Sequence, residues 1–179
     1  MTRDIESILL EIKAFAFDID GVATDGGVFC NSEGDLLRTY DAKDGFAIRM
    51  AVMQGFPVAV ITGGSSESIR KRMATSGVLP DDVFLHCRDK REQFQTFCQR
   101  YRLRPHEVMF FGDDVPDIGC LLLSGCGVCP ADAVEEVKEV ADWVTDHPGG
   151  RGCLREAIEA TLRAQNKWVF DAQAYKKKF

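Results

Sequence analysis

The sequence predicts an α/β fold of three layers, with a mostly parallel sheet between two layers of helices. Three observations carry that expectation. Short apolar runs alternate with helical patterns along the whole chain. Several of these runs end in Asp, Thr or Gly, the residue types that suit the carboxyl ends of parallel strands, where such sheets bind ligands. At 179 residues and 45 % hydrophobic, the chain is long enough for one core and too apolar to stay disordered.

Strands are expected at 14–18, 57–61, 83–86, 108–112, 126–129 and 142–145. The first is the apolar run Ala14-Phe15-Ala16-Phe17, closed by Asp18. Residues 27–40 depart from the alternation and read as a β-hairpin turning at Asn31 to Asp35. A helix is expected near 45–54 and another over 65–76, where Ile69 and Met73 lie four apart and Gly77 supplies a stop. In 90–103, Phe94, Phe97, Cys98 and Tyr101 follow helical spacing behind a capping Asp89. Helices over 131–141 and 153–165 follow, then an aromatic tail over 166–179. No linker interrupts this order, so residues 1–179 are expected to form a single domain.

A net charge of −6 argues against nucleic acid as a partner, and no apolar stretch approaches the ~20 residues needed to cross a bilayer. The N-terminus, Met1 to Glu6, lacks the basic and apolar regions of a secretion signal, and a cytoplasmic location is expected. Seven cysteines scattered among apolar neighbours fit reduced core thiols. Cys126 and Cys129 have redox or zinc spacing, but no helix starts between them and no second ligand pair follows.

Four polar stations sit at strand exits or helix starts. Asp18-Ile19-Asp20-Gly21 offers two carboxylates beside exposed N–H groups, an arrangement suited to magnesium and a phosphoryl group. Thr62-Gly63-Gly64-Ser65 offers a hydroxyl and free N–H groups at a helix start, an anion cradle. Lys90 heads a helix and supplies a cation. Gly112-Asp113-Asp114-Val115-Pro116-Asp117 clusters three carboxylates fit for a hard cation. Any one of these has a bland reading as a turn, a cap or a solvated charge; their joint order on one sheet pattern does not.

In these four motifs the chain resembles the haloacid dehalogenase-like superfamily of phosphotransferases. The resemblance implies a Rossmann-like core and an aspartyl-phosphate mechanism. Asp18 is then the nucleophile and Asp20 the general acid and base. Thr62, Gly63 and Lys90 hold the phosphate. Magnesium sits on Asp18, Asp113 and the backbone carbonyl of Asp20, while Asp114 and Asp117 orient water and Lys90. Only 41 residues separate Asp20 from Thr62 and 27 separate Thr62 from Lys90, leaving no room for a cap domain. The site must then be closed by a neighbouring subunit, through the hairpin or the tail, or stay open to a large substrate.

Among capless members the chain is similar to the 3-deoxy-D-manno-octulosonate 8-phosphate phosphatases. The stretches that carry the likeness are Gly21-Val22-Ala23-Thr24-Asp25-Gly26, Lys43-Asp44-Gly45, Ile61-Thr62-Gly63-Gly64 and Gly149-Gly150-Arg151-Gly152-Cys153-Leu154-Arg155-Glu156. This implies a cytoplasmic homotetramer acting on a small sugar acid phosphate in lipopolysaccharide biosynthesis. Lys43, Asp44, Gly45, Arg49 and Arg72 then match sugar-contacting positions, and Arg151 is a candidate to close the site. Two departures stand out: Gly64 where many relatives carry a basic residue, and Lys43 where many carry Arg, which loses a bidentate fork. A nine-carbon sugar acid, or a non-catalytic binding module on the same fold, remain the alternatives.

Overall fold

The computed structural model describes residues 4–179. Part of the expectation about the N-terminus therefore lies outside the described residues. The strands are β1 (Ala14–Phe17), β2 (Phe29–Cys30), β3 (Leu36–Leu37), β4 (Val58–Ile61), β5 (Val83–Phe84), β6 (Val108–Phe111), β7 (Cys126–Cys129) and β8 (Trp143–Val144). Six of them form one parallel sheet in the order β5-β4-β1-β6-β7-β8, while β2 and β3 pair as the separate antiparallel hairpin.

The sheet divides its side chains by the period of two expected of strands. Phe15, Phe17, Val58, Val60, Met109 and Phe111 face one core, and Ala14, Ala16, Ala59, Ile61, Val108 and Phe110 face the other. The first core is covered by α1 (Ile5–Glu11), α2 (Ala42–Met53), α3 (Glu67–Ala74) and α7 (Cys153–Ala164). The second is covered by α4 (Lys90–Tyr101), α5 (Ile118–Leu123) and α6 (Glu135–Lys138). The small alanines of β1 and β4 make room on this face for Phe94 and Phe97 of α4, each fully buried and each stabilising by roughly 1.5–3 kcal/mol.

Three boundaries differ from the sequence expectation for identifiable reasons. α2 starts at Ala42, before residue 45, because the Asp41 carboxylate accepts hydrogen bonds from the Lys43 and Asp44 N–H groups. α6 is a single turn, because residues 131–134 are drawn into the site's outer wall: Val134 N–H donates to the Asp113 carbonyl and Asp132 accepts from Gly149 N–H. The tail forms α8 (Ala172–Lys178), capped by Asp171, and packs on α2 of its own subunit. Phe46 of α2 meets Trp168, Phe170 and Tyr175 at ring-centroid distances of 6.1, 5.8 and 6.0 Å.

No cap is present. The hairpin, α2 and β4 account for the chain between Asp20 and Thr62, and α3 and β5 account for the chain between Thr62 and Lys90. Cys126 and Cys129 are free thiols buried in β7, pushed up to about 12 and about 11 chiefly by that burial.

Candidate active site

β1 lies between β4 and β6, at the point where the order of strands reverses direction. The carboxyl ends of these three strands therefore deliver Asp18, Thr62 and Asp113 to a single cleft of about 330 Å³, as the topology of such sheets requires. Asp20, Gly63, Lys90, Asp114 and Asp117 also line it.

Lys90 ties the site together. Its ammonium donates to Asp18 Oδ2 and Asp117 Oδ1, each at 2.6 Å, inside a buried pocket. Burial alone would lower Lys90, but the charges of Asp18 and Asp117 outweigh it and raise its pKa. The other oxygen of Asp18 accepts its neighbour's N–H, from Ile19, at 2.6 Å. Asp117 uses Oδ2 to accept the N–H groups of Asp113 and Asp114, and burial followed by the charge of Asp18 pushes it up to about 6. Asp114 lines the cleft but spends Oδ1 on the Val115 N–H, and the Lys90 ammonium bonds to Asp18 and Asp117 instead.

Asp113 is different. Its Oδ1 is buried and has no hydrogen-bond partner. Burial and the charges of Asp117 and Asp18 push this carboxyl up to about 7. Carboxylate oxygens of Asp18, Asp113 and Asp117 lie within 4.8 Å of one another. Three acidic groups gathered around an unpaired acceptor, with a single ammonium among them, form a donor set short of positive charge and fit for a hard divalent cation.

The close approach of Asp113 to the Asp18 loop depends on Gly21. Its φ is +87°, and a Cβ there would lie 1.9 Å from an Asp113 carboxylate oxygen. The loop is held from outside by the Gly149-Gly150 segment. Gly150 N–H donates to the Val22 carbonyl at 2.8 Å, and a Cβ on Gly149 would lie 1.9 Å from the Gly21 carbonyl oxygen.

The structure separates the remaining sequence candidates from this cleft. None of Lys43, Asp44, Gly45, Arg49, Arg72 or Arg151 lines it within the subunit. Asp44 is buried and accepts hydrogen bonds from Gly152 N–H at 3.1 Å and Arg155 N–H at 2.7 Å, joining α2 to the start of α7. Burial pushes it up to about 6, and those two donors oppose the rise. Arg49 donates to Tyr175 Oη at 2.7 Å and the Thr75 carbonyl at 3.0 Å. Arg72 lies over the Tyr40 ring and crowds Gly45, where a Cβ would come within 2.7 Å of its Nη2. Arg151 meets Asp25 at 3.3 Å on the surface, and Lys43 is exposed.

Three contributors escaped the sequence reading. Cys87 and Arg88 line the cleft beside Lys90. Arg38, on the hairpin, grips both Asp20 oxygens. A Cβ on Gly64 would lie 3.3 Å from Arg38 Nη2, so the guanidinium stands beside the place a basic side chain at 64 would enter. The missing cation at 64 was the available signal.

Comparison with known proteins gives the chain's family. Residues 82–155 match the haloacid dehalogenase-like hydrolase family. The chain is 32 % identical over 156 residues to the 3-deoxy-D-manno-octulosonate 8-phosphate phosphatase of Salmonella typhi, covering 87 % of this chain and 82 % of that protein. The crystal structure of the phosphatase of the same name from Moraxella catarrhalis, in complex with magnesium, phosphate and KDO, superposes with a TM-score of 0.88 at 29 % identity. The match covers 92 % of this chain and 93 % of that one. The cobalt-bound deoxy-D-mannose-octulosonate 8-phosphate phosphatase of Haemophilus influenzae gives a TM-score of 0.86 at 30 % identity, covering 96 % and 99 % of the two chains.

Proposed function

The chain belongs to the 3-deoxy-D-manno-octulosonate 8-phosphate phosphatase family of haloacid dehalogenase-like hydrolases, and from that premise we propose that it hydrolyses this sugar acid phosphate in a magnesium-dependent reaction. The observation that carries the reading is the meeting of Asp18, Lys90, Asp113 and Asp117 in one cleft beside Thr62, with one Asp113 oxygen buried and unpaired. Asp18, Asp113 and the Asp20 carbonyl would hold the magnesium ion. When bound, it supplies charge neutralisation to the acidic cluster and to the phosphoryl oxygens.

The work of the chain's own residues follows from their types and places. Thr62, Gly63 and Lys90 bind the phosphoryl oxygens and hold phosphorus in line with Asp18. An Asp18 oxygen attacks phosphorus, the bond to the sugar oxygen breaks, and Asp20 gives its proton to that departing oxygen. Asp20 then takes a proton from water, which attacks phosphorus and frees Asp18 and inorganic phosphate. Asp117 orients Lys90 throughout.

We read the protein as a single domain and a cytoplasmic homotetramer. The hairpin supports an assembly role, because Val28, Phe29 and Leu37 expose apolar side chains there. Among the described residues no helix is long and apolar enough to cross a membrane. Lys43, Arg49, Arg72 and Arg151 would reach the sugar acid only by rearrangement or across subunits.

Phosphate release from a panel of phosphorylated sugars, with and without magnesium, tests the assignment. The expected result is magnesium-dependent turnover with the eight-carbon 2-keto-3-deoxy acid phosphate preferred. Better hydrolysis of hexose phosphates, or of a nine-carbon acid phosphate, would replace the substrate; binding without turnover would replace the activity.

A further inference from the structure

Arg38 sits on a hairpin whose residues are largely exposed, yet its own side chain is only 3 % exposed. It reaches back to Asp20, which lines the cleft, donating from Nε to Oδ1 at 2.6 Å and from Nη2 to Oδ2 at 2.9 Å. A third donor, Nη1, holds the Leu36 carbonyl at 3.3 Å and fixes the guanidinium to its own strand. Among the described residues, no other donor hydrogen-bonds to the Asp20 carboxylate.

The terminal torsion of an aspartate is soft, so a carboxyl with no partner samples many orientations. A planar fork on both oxygens removes that freedom, and each oxygen keeps a second lone pair for another partner. We propose that Arg38 is a positioning residue, carried in by the hairpin, which orients Asp20 for proton transfer to the leaving group; this rests on the phosphatase reading above. The glycine at 64 leaves the guanidinium its space: a Cβ there would meet Arg38 Nη2 at 3.3 Å, and anything longer would compete with it.

The proton ledger identifies the test. Cleaving an alkyl ester breaks the P–O bond to a strongly basic alkoxide, which takes the Asp20 proton as Asp18 bonds to phosphorus. Cleaving p-nitrophenyl phosphate releases a stable phenolate that needs no proton in that step. The second step, attack of water on the phosphoryl-Asp18, is the same for both. A residue that orients Asp20 therefore matters more for the alkyl ester, whereas a residue that merely pins the hairpin affects both equally.

Wild type, Arg38→Met and Arg38→Lys are assayed with magnesium on the sugar acid phosphate and on p-nitrophenyl phosphate, with thermal unfolding as the folding control. For Arg38→Met, the single-turnover rate of leaving-group release, which reads the first step alone, should fall by about 10-fold or more on the alkyl ester, against less than about 3-fold on the aryl ester. Arg38→Lys, which keeps the charge but loses the fork, should fall in between. If Arg38→Met does not fold, Arg38→Lys carries the same comparison. An equal loss on both esters, or no loss on either, overturns the proposal. A wild type inactive on both esters overturns the phosphatase reading itself, and the inference with it, so the two failures are told apart by the control.

Discussion

Asp113 and Asp44 are two aspartates that burial treats alike and the fold uses differently. Both are held above the ordinary carboxylate range, Asp113 at about 7 and Asp44 at about 6, with burial the leading cause in each. Asp44, between α2 and α7, finds two backbone N–H donors. Asp113, at the mouth of the sheet, leaves one oxygen buried and unpaired among other acids. A buried carboxyl with its lone pairs engaged is a joint. A buried carboxyl with an unused lone pair, facing a cleft, is a request for a cation.

The widest separation should come from Asp113→Asn. We expect its phosphatase activity to fall by about 100-fold or more, and the stabilisation of the protein by added magnesium, read as a shift in unfolding temperature, to shrink sharply. Without metal the same variant should be no less stable than wild type at pH 8, because it strands no donor and removes a crowded charge. A metal-free Asp113→Asn protein that unfolds well below wild type would place Asp113 with the structural carboxyls.

Asp44→Asn should behave in the opposite way. One of the two N–H groups, from Gly152 or Arg155, loses its acceptor, at a cost of roughly 1–3 kcal/mol, while activity per folded molecule changes little. Its pH dependence sharpens the contrast. The folded-state pKa of Asp44 is raised, from 3.8 to about 6, so its contribution to stability is full below about pH 4 and is lost as pH rises through about 6. The stability advantage of wild type over Asp44→Asn should therefore narrow between pH 4 and pH 8, by on the order of 2 kcal/mol. Denaturant melts at the two pH values measure it. A gap that widens with pH would mean that the two donors, and not burial, control this carboxyl.

The smallest effect belongs to the tail. Tyr175→Phe removes one of the two hydrogen-bond partners of Arg49, leaving the Thr75 carbonyl, and should cost about 0.5–1.5 kcal/mol, with kcat unchanged. A clear rise in KM would show instead that Arg49 and the tail serve the substrate, as the sequence likeness implies.

The legible part of this protein was its strand tips. An apolar run closed by Asp or Thr states both that a strand ends and what it presents there, so Asp18, Thr62, Lys90 and Asp113 could be placed together before any coordinates. The helix that carries Lys90 announced itself through Asp89 and the spacing of Phe94, Phe97 and Cys98. What stayed hidden depends on distant partners. Nothing near Asp44 in the chain reveals that its oxygens meet N–H groups at 152 and 155, and nothing near Arg49 reveals Tyr175. Arg38 was hidden by the fold-back of the hairpin, and the glycine at 64 was the one hint of it. The single helical turn at Glu135–Lys138 fell short of the helix expected over 131–141 because its first residues bond to neighbouring loops instead.

The strap formed by Gly149 and Gly150 has a consequence for biosynthesis. Asp18 is synthesised ahead of the residues that clamp its loop, which follow some 130 positions later. A nascent chain not yet extended to that clamp carries Asp18 without the contacts that hold its loop from outside. The loop that carries Asp18 therefore gains its outer support only once the Gly149-Gly150 segment has been made and has docked.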